Sequence, residues 1–425
     1  MADIQPFKSI HYNVEVVEDL SQVVAPPYDV ISREEQRELF NRNPNNIIRL
    51  DLNPAADPYP AAADEMRRML NEKALVQDAE PAIYPCFQTF KTHDGSVVTR
   101  RGFVSWIKLE PFDAGVVLPH EHTLSGPKMD RLKLMTATKA SFSQIFSVYG
   151  DESRTLEKVY DDLAKGKPFL EADQDGVNNK IYRIVDSATV KIFQGLLKNM
   201  PVYIADGHHR YETALEYQRK TMEKDPRHTG KEAYNYIMMY FTNIFDSGLV
   251  VYPTHRILHS VSGFEAGKLI EAVKVHFELS AKNDVDSLAA SLAAAGDHSY
   301  GMILPDSKYY LMKLKPGSDV LSIVKENVPA PVKKLDVTLL HDYVLTQKLG
   351  ISKEAQEKKL NINYTIDRHE VDKAVQSGKG QVGFILNSTK VEQVKEVADA
   401  GAVMPQKSTY FYPKLLSGLL LSSLE

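Results

Sequence analysis

Hydrophobic and polar positions alternate with a period that changes along the chain. Over residues 1–95 short apolar runs are broken by turn residues; 47–52 has the alternation of a strand and 64–75 the spacing of an amphipathic helix. Residues 97–109, whose apolar positions are broken by Arg100, Arg101 and Lys108, predict a strand, and the polar loop 118–123 follows. Helical spacing over 128–138 and 157–163 leads into a strand at 180–186 and a helix at 189–198. Pro201-Val202-Tyr203-Ile204-Ala205 is a short strand of the fully buried kind, Asp206-Gly207-His208-His209-Arg210 ends it, and 211–224 is again helical, so this segment predicts strand, tight turn and helix. Two β-rich runs, 236–245 and 249–252, end in Pro253-Thr254-His255-Arg256.

The pattern changes beyond residue 261. Helices at 265–277 and 285–295 precede strands at 300–304 and 309–314, and the last quarter alternates helix 335–349, strand 362–366, helix 368–377, strand 382–386 and helix 390–400. Such βα alternation indicates an α/β domain. There is no internal repeat and no low-complexity segment. The expected fold mixes α+β and α/β parts: an extension over 1–95 packed on a core at 96–260 that carries the turn, then a C-terminal α/β domain over 261–425 whose last segment returns to the site.

Composition narrows the function classes. A chain of 425 residues exceeds the size at which one core stops growing, so two or three domains are expected. With 43% hydrophobic and 25% charged residues it has no disordered or fibrous bias. A net charge of −5 and the lack of any basic run argue against a nucleic-acid partner. No leader pattern and no apolar run of about 18 residues is present, which predicts a cytoplasmic protein without a membrane partner. Cys86, the only cysteine, has no disulfide or metal-ligand partner and reads as a small buried residue in a reducing compartment.

The chemistry concentrates in a few segments. At Asp206–Arg210 a strand feeds a helix whose first N–H groups have no partner inside the helix, and Gly207 lets a ligand approach the backbone. Arg210 offers a fork of donors for phosphate oxygens, and His208 and His209 can donate or titrate near neutrality; the alternative is a capping Asp206 with surface histidines. His120-Glu121-His122 contains metal-ligand types but no third ligand at helical spacing, and Glu121 is equally a candidate base for a substrate hydroxyl. Lys128 and Arg131, at the start of a helix, are placed to reach a nucleotide's phosphates. Thr254, His255 and Arg256 lie at a strand end, and Lys407, Ser408 and Thr409 group an ammonium with two hydroxyls. Ala25–Ser32 is stiffened by two prolines, with Ser32 as N-cap of a helix beginning near Glu34 and Asp29 of open role.

Ala25–Ser32, Leu118–Arg131, Ala205–Leu215, Pro253–Arg256 and Met404–Lys414 together resemble the domain of unknown function 1015 family, essentially end to end. Three segments also resemble, in the same order, the nucleotide-dependent free L-serine kinases of the ParB/sulfiredoxin-like fold: Pro119-His120-Glu121, Asp206–Arg210 and Pro405–Thr409. The resemblance implies a ParB/sulfiredoxin-like core and a serine kinase-like phosphotransferase. It makes Glu121 the base, with Asp206, His208 and His209 assisting. By that match Gly207, His208, His209 and Arg210 hold the nucleotide's phosphates and Lys407, Ser408 and Thr409 the substrate; from their own positions Lys128 and Arg131 are expected to join the phosphate site, and His120, His122, Thr254, His255 and Arg256 the substrate site. It also implies Mg²⁺ with ADP or ATP, free serine or phosphoserine as the small substrate, and transfer in either direction. Ser408 stands where the kinases have threonine and Tyr410-Phe411 where they have an Arg-His pair, which leaves nucleotide and substrate open. The alternatives are a ParB-like nucleotide switch without kinase activity and a phosphoserine phosphohydrolase. The sulfiredoxin reaction is excluded, because His208 occupies the position of its cysteine.

Overall fold

The computed structural model of the chain describes residues 1–121 and 125–425, apart from the side chains of Ser125 and Pro127. Two compact units form: one from Met1–Pro119, Thr123–Val250 and Pro413–Glu425, the other from His120–His122 and Val251–Tyr412. Both combine helices with sheets, a mixed α+β class.

In the first unit the β-rich runs build a nine-stranded sheet in the order Val117–Leu118, Val202–Asp206, Ile145–Tyr149, Tyr236–Asn243, Val97–Lys108, Tyr84–Lys91, Val177–Ile181 and Leu170–Gln174, with Ile4–Gln5 paired to Val97–Lys108. Val202–Asp206 runs parallel to Val117–Leu118 and antiparallel to Ile145–Tyr149. The core beneath it packs Phe103 against Phe193 and Phe241, with centroids 4.8 and 5.0 Å apart, and includes Ile145, Val202, Ile204 and Tyr211. Each such side chain contributes about 1.5–3 kcal/mol by leaving water. Cys86 lies inside this unit, and burial pushes its thiol up to about 12.

The second unit holds an antiparallel six-stranded sheet, ordered Phe277–Lys282, Lys308–Leu314, Ser299–Leu304, Val382–Leu386, His255–Leu258, Ile362–Thr365. Successive strand residues face opposite ways. Ile257, Ile303 and Ile385 therefore meet the helices Val285–Ala295 and Arg368–Gln376, while Leu258, Met302 and Phe384 meet Ala266–Val273 and residues of 339–345. The βα alternation of the sequence thus covers both faces without making parallel βαβ units.

Several local expectations are corrected. Residues 47–52 form no strand: Ile48–Asp51 is a helical turn started by Asn46, whose Oδ1 accepts the Ile48 N–H at 3.0 Å. Ile47, Ile48 and Leu50 are all buried, so alternation there does not report a sheet face. The helix expected over 265–277 stops at Val273, and Phe277 opens a strand. The helix expected over 335–349 is α-helical only over Asp336–Leu339 and widens to a π-helix over Leu340–Lys348. Tyr84–Lys91, interrupted in sequence by Pro85 and Gln88, is a strand that periodicity does not announce.

Candidate functional site

The turn in the first unit is built by its two neighbours. Val202–Asp206 carries a register shift between Ile204 and Asp206 against its antiparallel partner, which re-aims Asp206 at the end of the strand. Gly207 follows in the left-handed region at φ 94°, and His208–Met222 begins at once. That helix forms because His208, Tyr211, Ala214 and Tyr217 recur on one buried face, while Arg219 and Lys220 suit its C-terminal end. The Tyr211 hydroxyl donates to Glu110 O at 2.8 Å and fixes the first turn.

Arg210 folds back over Gly207, where any Cβ would meet the guanidinium at 2.9–3.0 Å. Its Nη1 donates to Ser143 Oγ (3.0 Å) and Gln144 O (2.6 Å), and its Nη2 to Asp206 Oδ2 (3.1 Å). The other carboxylate oxygen, Oδ1, accepts from Lys414 Nζ at 2.9 Å. Asp206 therefore carries one cation on each oxygen. His208 is buried and His209 half-buried beside it.

Lys128 and Arg131, on Ser125–Thr138, are both engaged. Lys128 pairs with Glu212. Arg131 is buried, donates from Nη1 to Asp51 O (2.9 Å) and Oδ1 (2.8 Å), pairs with Asp130, and lies 4.1 Å over the Tyr28 ring. Burial pushes the Tyr28 hydroxyl up against the pull of Arg210 and Arg131. The Ala25–Ser32 segment, paired through Ala25 with Ser417, thus brings Tyr28 within the field of the turn's arginine, while Asp29 is exposed.

The second unit gathers another group. His120 O accepts the Met404 N–H at 2.7 Å, Glu121 and Met404 form a parallel bridge, and Glu121 Oε1 accepts the Lys407 N–H at 3.3 Å. His120 Nε2 shares a hydrogen bond of 3.1 Å with Thr409 Oγ1. Lys407 has φ 57°, a conformation that costs a non-glycine residue about 1–3 kcal/mol unless its surroundings impose it. Arg256 is part of what imposes it: fully buried, it donates to Lys407 O at 3.1 Å, to Thr254 O, and through Nε to His341 Nε2 at 3.1 Å. Burial lowers its guanidinium to about 10.

His120, Glu121, Arg256, Lys407 and Thr409 therefore come together. His255 points into the sheet, its Nδ1 accepting the Leu386 N–H at 3.3 Å, and Ser408 donates back to Pro405 O at 2.5 Å. Thr254 is buried, its Oγ1 without a hydrogen-bond partner among the described residues. His122 lies outside the described residues. The sequence reading did not single out Ser143, Gln144, Tyr28 or Lys414 for the site. Tyr28 and Lys414 do fall inside segments it marked, whereas Gln144 contributes through its carbonyl, which leaves no signal in residue type.

A solved conserved hypothetical protein from Pyrococcus furiosus is similar at 15% identity and a TM-score of 0.36, over 73% of this chain and 93% of that one. A free serine kinase in complex with AMP gives 12% and 0.36, over 74% and 91%. SbnI with a C-terminal truncation, from Staphylococcus aureus, gives 10% and 0.33, over 74% and 86%. No curated protein sequence matches. Residues 4–338 match the family described as Protein of unknown function (DUF1015), and the chain belongs to that family.

Proposed function

We propose that the protein is a phosphotransferase moving a phosphoryl group between ADP or ATP and a small hydroxyl substrate, free serine or phosphoserine, on a ParB/sulfiredoxin-like core. The observation that carries this reading is the turn, where Gly207 opens a long helix between Asp206 and Arg210 with Lys414 tied to the same carboxylate. A helix start flanked by an ammonium and a guanidinium suits phosphate oxygens.

In this reading His208, His209 and the first N–H groups of the helix orient the phosphates, and Glu121 takes the proton of the attacking hydroxyl. Glu121 is already positioned by the Lys407 N–H, and Lys407 and Thr409 would hold the substrate's anionic end. Arg256 and Arg131 act as frames: one fixes the backbone of Lys407, the other the N-terminal segment. Mg²⁺ is usually held by phosphates, water and one or two carboxylates. That suits a chain in which, among the described residues, no group of three or more His, Cys, Asp or Glu could hold a metal ion. When bound, the ion would neutralise phosphate charge.

The test is a product screen of the pure protein with ADP, ATP or CTP, each with serine or phosphoserine. Nucleotide-dependent interconversion of serine and phosphoserine is expected. Phosphate release from phosphoserine without nucleotide would replace transfer by hydrolysis, and nucleotide binding without turnover would indicate a switch protein.

A further inference from the structure

The two cations on Asp206 differ in chemistry. Arg210 is fixed, with Nη1 committed to Ser143 Oγ and Gln144 O and its plane laid against Gly207. Lys414 reaches Asp206 Oδ1 from the far end of a four-carbon stem. An ammonium is a rotatable point charge, whereas a guanidinium locked into a fork is not.

The backbone under Lys414 is held by a polar network in the interior. Arg100 and Gln88 are both fully buried. Arg100 Nη2 donates to Pro413 O at 2.7 Å and to Gln88 Oε1, and the Arg100 guanidinium lies 4.4 Å over the Phe146 ring. Gln88 Nε2 donates to Lys414 O at 3.4 Å and to Asn179 Oδ1 at 2.8 Å. Burying a guanidinium is costly, and burial indeed lowers the pKa of Arg100. Here that cost accompanies a clamp on the two carbonyls of residues 413 and 414.

We propose that Lys414 is the movable phosphate ligand of the turn, exchanging Asp206 for a phosphate oxygen, and that Arg100 is its positioning residue. This rests on the reading that the turn binds phosphate, and it reassigns the work: Arg210 frames the turn and Lys414 closes on the anion. No bond is made or broken in the exchange. One ion pair replaces another, so pyrophosphate alone suffices as a probe.

The experiment titrates the full chain with pyrophosphate and with ADP by calorimetry. Lys414→Met is expected to weaken pyrophosphate at least fivefold and to flatten its salt dependence, and Lys414→Arg to restore both. Lys414→Gln serves the same purpose if the Met variant does not fold. Arg100→Met should weaken binding as well, and adding it to Lys414→Met should cost nothing more, since one residue acts through the other. A loss under fivefold in the Lys414 variants overturns the proposal and leaves the phosphate reading standing. Additive losses overturn the positioning role of Arg100. A wild-type protein that binds neither pyrophosphate nor ADP overturns both the proposal and the reading beneath it.

Discussion

Gly207 and His341 show how single residues set the terms of each group. Gly207→Ala would force a Cβ into the left-handed region at φ 94° and against the Arg210 guanidinium. It is expected to cost about 1–3 kcal/mol in urea unfolding and to weaken ADP binding at least tenfold. His341 is held well below 6.5, first by burial and then by the charge of Arg256 on its ring. The unfolded chain takes up a proton near 6.5 that the folded chain refuses, so His341 costs nothing above that pH. Below it the imidazole destabilises the fold by about 1.4 kcal/mol per pH unit.

Asp336 works in the opposite direction. Burial pushes its carboxyl from 3.8 up to about 6, so its contribution is complete below 3.8 and is lost as pH rises through 6. The imidazole is isolated by comparing wild type with His341→Gln. The variant loses both the Arg256 contact and the titration, so only wild type is penalised on acidification and the gap between their urea midpoints should be widest near pH 7.5 and narrow towards pH 5. A gap that stays constant would contradict the assignment.

Elements were legible where pattern and end signals agree. Ser32 was expected to cap a helix near Glu34, and it does: Ser32 Oγ accepts the Glu35 N–H at 3.1 Å while Glu35 reaches back to Ser32 N at 3.4 Å. Ser32→Ala should lower stability by about 1 kcal/mol, read as a shifted urea midpoint with unchanged slope. The helix expected over 285–295 appears as Val285–Ala295, capped by Asp284. Where interior contacts decide instead, pattern fails. Ile48–Asp51 is helical because Asn46 and close packing on every side outweigh alternation. Tyr84–Lys91 is a strand although Gln88 is polar, because Arg100 and Asn179 satisfy Gln88 inside the unit. The turn itself was readable because Asp, Gly, two His and Arg crowd one strand-to-helix junction. Lys414 was not, since 208 positions separate it from Asp206 and local spacing carries no trace of that pairing.

At the scale of the whole chain, the division into units was the least readable feature. Neither unit is one continuous stretch: residues 120 and 121 belong with the later half, and 413–425 with the earlier. Periodicity reports which face of an element is buried, not which distant segment buries it. The proposed phosphoryl transfer assigns the nucleotide to the turn and the base to Glu121. It is tested most directly by Glu121→Ala, assayed for ADP binding and for phosphoryl transfer to or from serine. The account predicts that ADP affinity stays within twofold while transfer falls by about 10²-fold or more, the contribution expected of a general base. Transfer at the wild-type rate in Glu121→Ala would contradict it.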